Sequence, residues 1–195
     1  MINMGANEAI VEELAKYIED NIPEFNSVLR EWPNHNESLD MPCATILTVG
    51  SPDYTQQMPV LSKSEGGIST YIVGFYDINL HIDIWAEYKA LRGDMMEKVI
   101  DLFNKQFQES GMALGASLTL ADYDNVIARY DLGGYTYMDS EESSQRDEWR
   151  AKVVVLVNCP RIMTKIESKM EDIKLYNNIS TNNDSDTDEI LTIEE

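Results

Sequence analysis

The stretch that decides the fold is DINLHIDIWAEYKALRGDMMEKVIDLFNKQF, residues 77–107. Its hydrophobic period changes partway along. Ile78, Leu80, Ile82 and Ile84 alternate with Asn79, His81, Asp83 and Trp85, the pattern of a strand with one buried face. From Leu91 onward the apolar residues are Met95, Val99, Leu102, Phe103 and Phe107, which fall on one stripe of a helix. A strand delivered directly into an amphipathic helix gives the chain a folded centre. Asp94–Lys98 and Asp101–Lys105 are i,i+4 pairs that brace the outer helix face, and Gly111 is a C-terminal stop.

Upstream, residues 8–21 read as a helix with Ile10, Leu14, Tyr17 and Ile18 on one face. Asn7 is its expected N-cap, Glu12 and Lys16 form an i,i+4 pair, and Pro23 ends it at Ile22. Residues 31–42 are a connection, and Ala44–Val49 is a short strand that turns at Gly50-Ser51-Pro52-Asp53. Residues 51–69 are polar, hold Pro59 and Gly66-Gly67, and read as a long loop or loose hairpin. Thr70–Trp85 is strand-forming, with a bend expected at Gly74.

Downstream, Leu114–Leu120 and Asp124–Asp131 read as short strands or turn-linked segments. Gly133-Gly134 opens a second polar stretch, 133–148. Trp149–Val157 is a strand in which Val154 and Leu156 suggest burial on both faces, and Asn158-Cys159-Pro160 closes it. Residues 161–176 read as a last strand or short helix. From Asn177 to Glu195 the composition predicts disorder. Strands in runs rather than alternation with helices predict an α+β fold. The expectation is one domain, 1–176, with a small, mainly antiparallel sheet, two principal helices on one side, long inserted loops and a disordered acidic tail.

The chain has 35 acids against 15 bases, a net charge of −20. Six acids and no base follow Tyr176, so the remainder still carries 29 acids against 15 bases. Phosphate binding depends on Lys and Arg, so this balance argues against wrapping nucleic acid or sitting on anionic lipid. It does not prevent DNA from sliding past. Two cysteines, Cys43 and Cys159, are too few for a secreted disulfide framework, and the sequence leaves open whether they meet. The N-terminus lacks the basic and apolar regions of a signal peptide, and no apolar run approaches the ~20 residues of a membrane span. A soluble protein made in a cytoplasm is the expectation.

No residue chemistry names a function. Asn79, His81 and Asp83 share a strand face and read as its polar, outward side rather than as a base or metal set. Asp184, Asp186 and Asp188 have calcium-loop spacing, but Glu189 stands where that loop needs glycine. G-x-S-x-G, P-loop, post-strand G-x-G-x-x-G, H-E-x-x-H and C-x-x-C motifs are all absent. No catalytic residue, cofactor or metal site is predicted. Tyr123, Tyr130, Tyr135, Tyr137 and Trp149 interleave with acids, the wrong electrostatics for stacking on nucleic acid. Core or subunit-contact roles suit them better.

Residues 77–100, with the Trp85-Ala86 pair between strand and helix, carry a family resemblance. Together with a short N-terminal helix, an early strand, a long loop and a late strand at Val153–Pro160, they resemble the tail terminator (tail completion) and head–tail connector proteins of long-tailed bacteriophages. The resemblance covers about residues 8–176 and consists of element order rather than a catalytic signature. It implies a non-enzymatic virion protein of the neck. Copies, usually six, would form a ring that caps the tail tube and docks it to the head. Its partners would be itself, tube and possibly sheath proteins, and head-completion proteins, with DNA passing through an acidic lumen and no membrane contact. The insertions at 51–69 and 133–148 and the acidic tail depart from the simplest members. Another neck component, such as a stopper or head-completion protein, is the alternative. So is an acidic binding module unrelated to phage. Under the ring reading the loops meet partners, and the expected interface residues are Tyr54, Gln56, Met58, Tyr135, Tyr137 and Trp149.

Overall fold

A computed structural model describes residues 5–32, 39–110, 115–139 and 148–166, with the side chains of 105–110 and 166 left aside. Two helices and six strands follow the order α1 (Ala6–Asn21), β1 (Ser27–Leu29), β2 (Cys43–Glu65), β3 (Ile68–Ala86), α2 (Lys89–Ser110), β4 (Ala116–Leu120), β5 (Val126–Tyr137) and β6 (Trp149–Ile166). One sheet runs β1-β2-β3-β6-β5-β4. The short β1–β2 pair is parallel and every other pair is antiparallel. The fold is α+β, as the run-wise order of strands predicts.

The alternation in β3 is used as expected. Ile78, Leu80, Ile82 and Ile84 are buried, together with Ala151, Val153, Val155 and Val157 of β6. Ile10, Leu14 and Ile18 of α1 and Met95, Val99 and Phe103 of α2 close the same core. Both helices therefore lie on one face of the sheet. Tyr130 of β5 is fully buried there, and its hydroxyl donates to the Ile10 carbonyl at 3.0 Å. The Tyr17 hydroxyl donates to Leu102 O at 3.3 Å, tying α1 to α2.

The ends of α1 differ in one detail from expectation. Its N-cap is Gly5, whose N–H donates to the Glu8 carboxylate at 2.9 Å. Asn7 lies inside the helix and accepts a hydrogen bond from Thr48 Oγ1 at 3.0 Å. Glu8 thus satisfies the N–H of the cap residue, which is one half of a capping box, and glycine has no side chain to supply the other half. Lys16 pairs more closely with Glu13, at 3.1 Å, than with Glu12, at 4.0 Å. The expected Asp94–Lys98 brace stands at 3.0 Å. The Asp101–Lys105 pair, the Phe107 side chain, Gly111, residues 167–176 and the 177–195 tail with its Asp184–Asp186–Asp188 spacing lie outside what is described.

Of the expected loops, 51–69 is the hairpin of its two readings, though regular rather than loose, 161–166 is the strand of its two, and the loop at 133–137 and the strand end at 158–160 are corrected. Residues 51–65 continue β2, paired with β3 down to Glu65↔Ile68, and Gly66-Gly67 make the turn. Residues 133–137 continue β5, while 140–147 lie outside the described residues. Asn158-Cys159-Pro160 does not end β6, which pairs with β3 as far as Ile166↔Ile68. The physical reason is shared. These lengths are largely open to solvent on both faces, so the sequence carries no one-sided alternation to betray a strand. The prolines sit where a strand tolerates them. Pro52 and Pro59 fall within register shifts of β2, and Pro160 lies beyond Asn158, the last β6 residue paired with β5. The bend expected at Gly74 is a register shift between Ile72 and Gly74. A Cβ at Gly74 would stand 2.4 Å from Thr55 O and 2.5 Å from the Tyr54 ring. Only glycine lets the neighbouring strand approach this closely.

The second face of the sheet is also corrected. Val154 is half-buried and Leu156 is 47% exposed, so the second face of β6 is only partly covered. Asp83 is not an outward polar residue: it is 1% exposed.

Candidate interaction surface

The expected interface residues fall into two groups at opposite ends of the long strands. Tyr54, Gln56 and Met58 lie on the extension of β2, where Tyr54 is opposite Tyr76 and Gln56 opposite Gly74. Tyr135 and Tyr137 lie on β5 opposite Val153 and Ala151, and Trp149 begins β6 opposite Ala86.

Tyr54 is committed within its own arm. Its ring lies 5.5 Å from that of Tyr76, its hydroxyl donates to Val73 O at 3.2 Å, and the Arg161 guanidinium sits 4.8 Å above it. Gln56 is exposed, and Met58 is 86% exposed. At the other end, Arg92 on the first turns of α2 is 5% exposed although charged. Its guanidinium lies 4.1 Å over the Tyr137 ring and 5.9 Å from the Trp149 ring, and it pairs with Asp139. Lys89 covers Trp149 at 4.4 Å. Buried charge persists only where it is paired and desolvated by suitable groups, and aromatic faces suit a guanidinium. Tyr137 and Trp149 therefore hold the start of α2 to the sheet. Tyr135 is the member of this group left 57% exposed.

A third cluster covers part of the second face. Arg150 presents Nε to Asp83 Oδ1 at 3.2 Å and Nη2 to Oδ2 at 2.8 Å. Its guanidinium lies between the rings of Trp32, at 4.6 Å, and Trp85, at 5.0 Å, which meet edge to face at 5.8 Å. Cys43 and Thr45 of β2 are buried opposite Trp85 and Asp83. Asp83 is thus a structural anion. His81, one step along the face, is half-buried. Its pKa is lowered by burial and by Lys152, with Asp83 opposing and Arg150 assisting.

Burial pushes the Cys43 thiol up to about 11, with Asp40 adding to it, and the Cys159 thiol up to about 12. Reactive thiols need the opposite shift. The two cannot meet, because Cys43 is opposite Trp85 and Cys159 opposite Tyr76 of the same strand. That separation along β3 is roughly 30 Å at ~3.4 Å per residue. Among the described residues no group of three His, Cys, Asp or Glu side chains could hold a metal ion. A cleft of about 260 Å³ on the second face is lined by Asp77, Asn79, Asp131, Leu156 and Asn158. Its polar groups are spent locally: Asn158 donates to Asp77 at 2.7 Å, and Asp131 pairs with Arg129 at 2.9 Å. No helix among the described residues is long and apolar enough to cross a membrane.

Sequence reasoning missed the exposed apolar residues that flank Met58. Val60, Leu61, Ile68 and Met163 are about half exposed on the β2–β3–β6 extension. Their only sequence signal is a weak alternation after Pro160. What unites them is strand register, which a sequence does not print. The chain matches no protein-family model and no curated protein.

Proposed function

We propose that this chain is a structural, ring-forming protein of the neck of a long-tailed bacteriophage, of the tail terminator type. The observation that carries the reading is the element order. Helix, strand, long arm, second strand leading directly into a helix, and late strand follow one another in the order that the resemblance implies. Both helices lie on one sheet face, which leaves the second face and the arm for neighbours. A net charge of −20 suits a lumen that DNA traverses without sticking.

The test is the mass of the protein in solution, alone and with tail tubes. A closed ring of several copies is expected, formed alone or on the end of the tube. A strict monomer at high concentration that also ignores tail tubes would sink the reading.

A further inference from the structure

From the edge of the core, where Tyr76 and Cys159 still pack, β2, β3 and β6 run on as a three-stranded ribbon: Asp53–Glu65, Ile68–Asp77 and Asn158–Ile166. Nothing in Asp53–Phe75 belongs to the hydrophobic core. The ribbon is nonetheless apolar on both faces. Register places Val60, Ile72 and Ile162 side by side on one face and Leu61, Tyr71 and Met163 side by side on the other. Val60, Leu61 and Met163 are 55–56% exposed. Contiguous apolar surface of this kind marks a contact site.

Two further observations identify what covers it. First, the free edge of β2 is a poor template for another strand. Pro52, Pro59 and three register shifts interrupt it, and the β6 edge, which β5 leaves past Asn158, carries Pro160, Arg161 and Lys165, all devices by which edge strands avoid pairing. Contact is therefore through side chains. Second, the ribbon is electrically neutral. Asp53, Glu65 and Asp77 balance Lys63, Arg161 and Lys165, so the entire charge of −20 lies elsewhere. A neutral surface offers nothing to a polyanion or an anionic membrane. Copies of this chain, at −20 each, repel one another overall, and a neutral surface is where that repulsion is weak.

We propose that the ribbon is the contact between copies. It lies between two neighbours, with the Val60–Ile72–Ile162 row against one and the Leu61–Tyr71–Met163 row against the other. A head-to-tail arrangement of this kind closes into a ring when the rotation between copies allows. The inference rests on the ring reading above and specifies which element makes the joint.

The experiment compares the wild type with Val60→Asp and Met163→Asp, one from each row, by sedimentation over a range of protein and salt concentrations. Both residues are half exposed and outside the core, so far-ultraviolet circular dichroism and the thermal midpoint of the monomer should match wild type. Val60→Ser and Met163→Ser serve as milder second variants. Each aspartate is expected to raise the dissociation concentration at least about tenfold, and added salt should strengthen wild-type association by screening the like-charged bodies. If wild type forms a ring and both aspartate variants form it equally well, the ribbon is not the joint, although the ring reading stands. A change in only one variant overturns the two-neighbour arrangement. A wild type that is monomeric alone and with tail tubes ends both ideas. One that is monomeric alone, but captured by tubes only when the rows are intact, shows that the ribbon serves a different protein and overturns the copy contact.

Discussion

Removing the Asp83 carboxylate should destabilise the fold far more than its place in an Asn-x-His-x-Asp strand face suggests. Asp83 is 1% exposed and Arg150 20% exposed at the side chain, and the guanidinium is enclosed between Trp32 and Trp85. In Asp83→Ala the cation keeps its aromatic walls but loses the carboxylate that is its ion-pair partner among the described residues. Breaking a buried pair on one side costs about 3–5 kcal/mol. The partial exposure of Arg150 admits some water, which brings the expectation to roughly 2–4 kcal/mol. In urea, with a slope of about 2 kcal/mol/M, that is a fall of roughly 1–2 M in the midpoint. The thermal midpoint should fall by ~6–12 °C for a domain of this size. The double variant Asp83→Leu with Arg150→Met removes both charges and should recover at least half of the loss, because the cost lies in the orphaned cation. A loss below about 1 kcal/mol for Asp83→Ala would refute the reasoning. So would a double variant no better than the single one, since packing rather than charge would then be at stake.

Two further outcomes follow from the ionisable groups. His81 has a lowered pKa in the fold, so the unfolded chain binds its proton first as pH falls through the ordinary value of about 6.5. Its contribution to stability is complete above that value and declines below it. His81→Gln should therefore lose less stability than wild type between pH 7.5 and 5.5 in paired urea titrations, and parallel curves would count against the shift. Cys43 and Cys159 are buried and their thiols are raised to about 11 and 12, so neither should react with a disulfide reagent until the protein unfolds. Rapid native labelling of either would show that its strand opens locally.

How much of this structure could be read beforehand depends on whether burial is one-sided. The Ile78–Ile84 alternation, the Met95–Val99–Phe103 stripe and the Ile10–Leu14–Ile18 face each bury one side and leave the other wet. One-sided burial writes its period into the sequence. The Arg92 cluster escaped for a different reason. Tyr130 and Leu132 face the helices, and strict alternation would send Tyr135 and Tyr137 to the opposite side. A register shift between Leu132 and Gly134 moves them by one position, so that Tyr135 and Tyr137 align with Val153 and Ala151. Gly134, at φ +152°, adopts the backbone that this bulge requires. Gly133-Gly134 reads as the opening of a loop, yet it is the device that turns Tyr137 beneath Arg92. A one-residue slip flips every later side chain, and its position is set by the neighbouring strand.

The ribbon is the limiting case of the same rule. A strand that packs against its own chain shows an inside and an outside. A strand open to solvent on both faces shows neither, and its apolar residues look scattered among polar ones. Met58, Val60 and Leu61 lie between Gln56-Gln57 and Ser62-Lys63, which reads as loop composition. Their meaning emerges only when register sets Val60 beside Ile72 and Ile162, and Leu61 beside Tyr71 and Met163. The neutrality of the same segment has the same origin. Charges like those that bring the rest of the chain to −20 would oppose the proposed contact here, and the segment balances its own. The element least legible in a single chain is thus the one proposed to meet its counterpart outside that chain, where no packing of its own writes a period into the sequence.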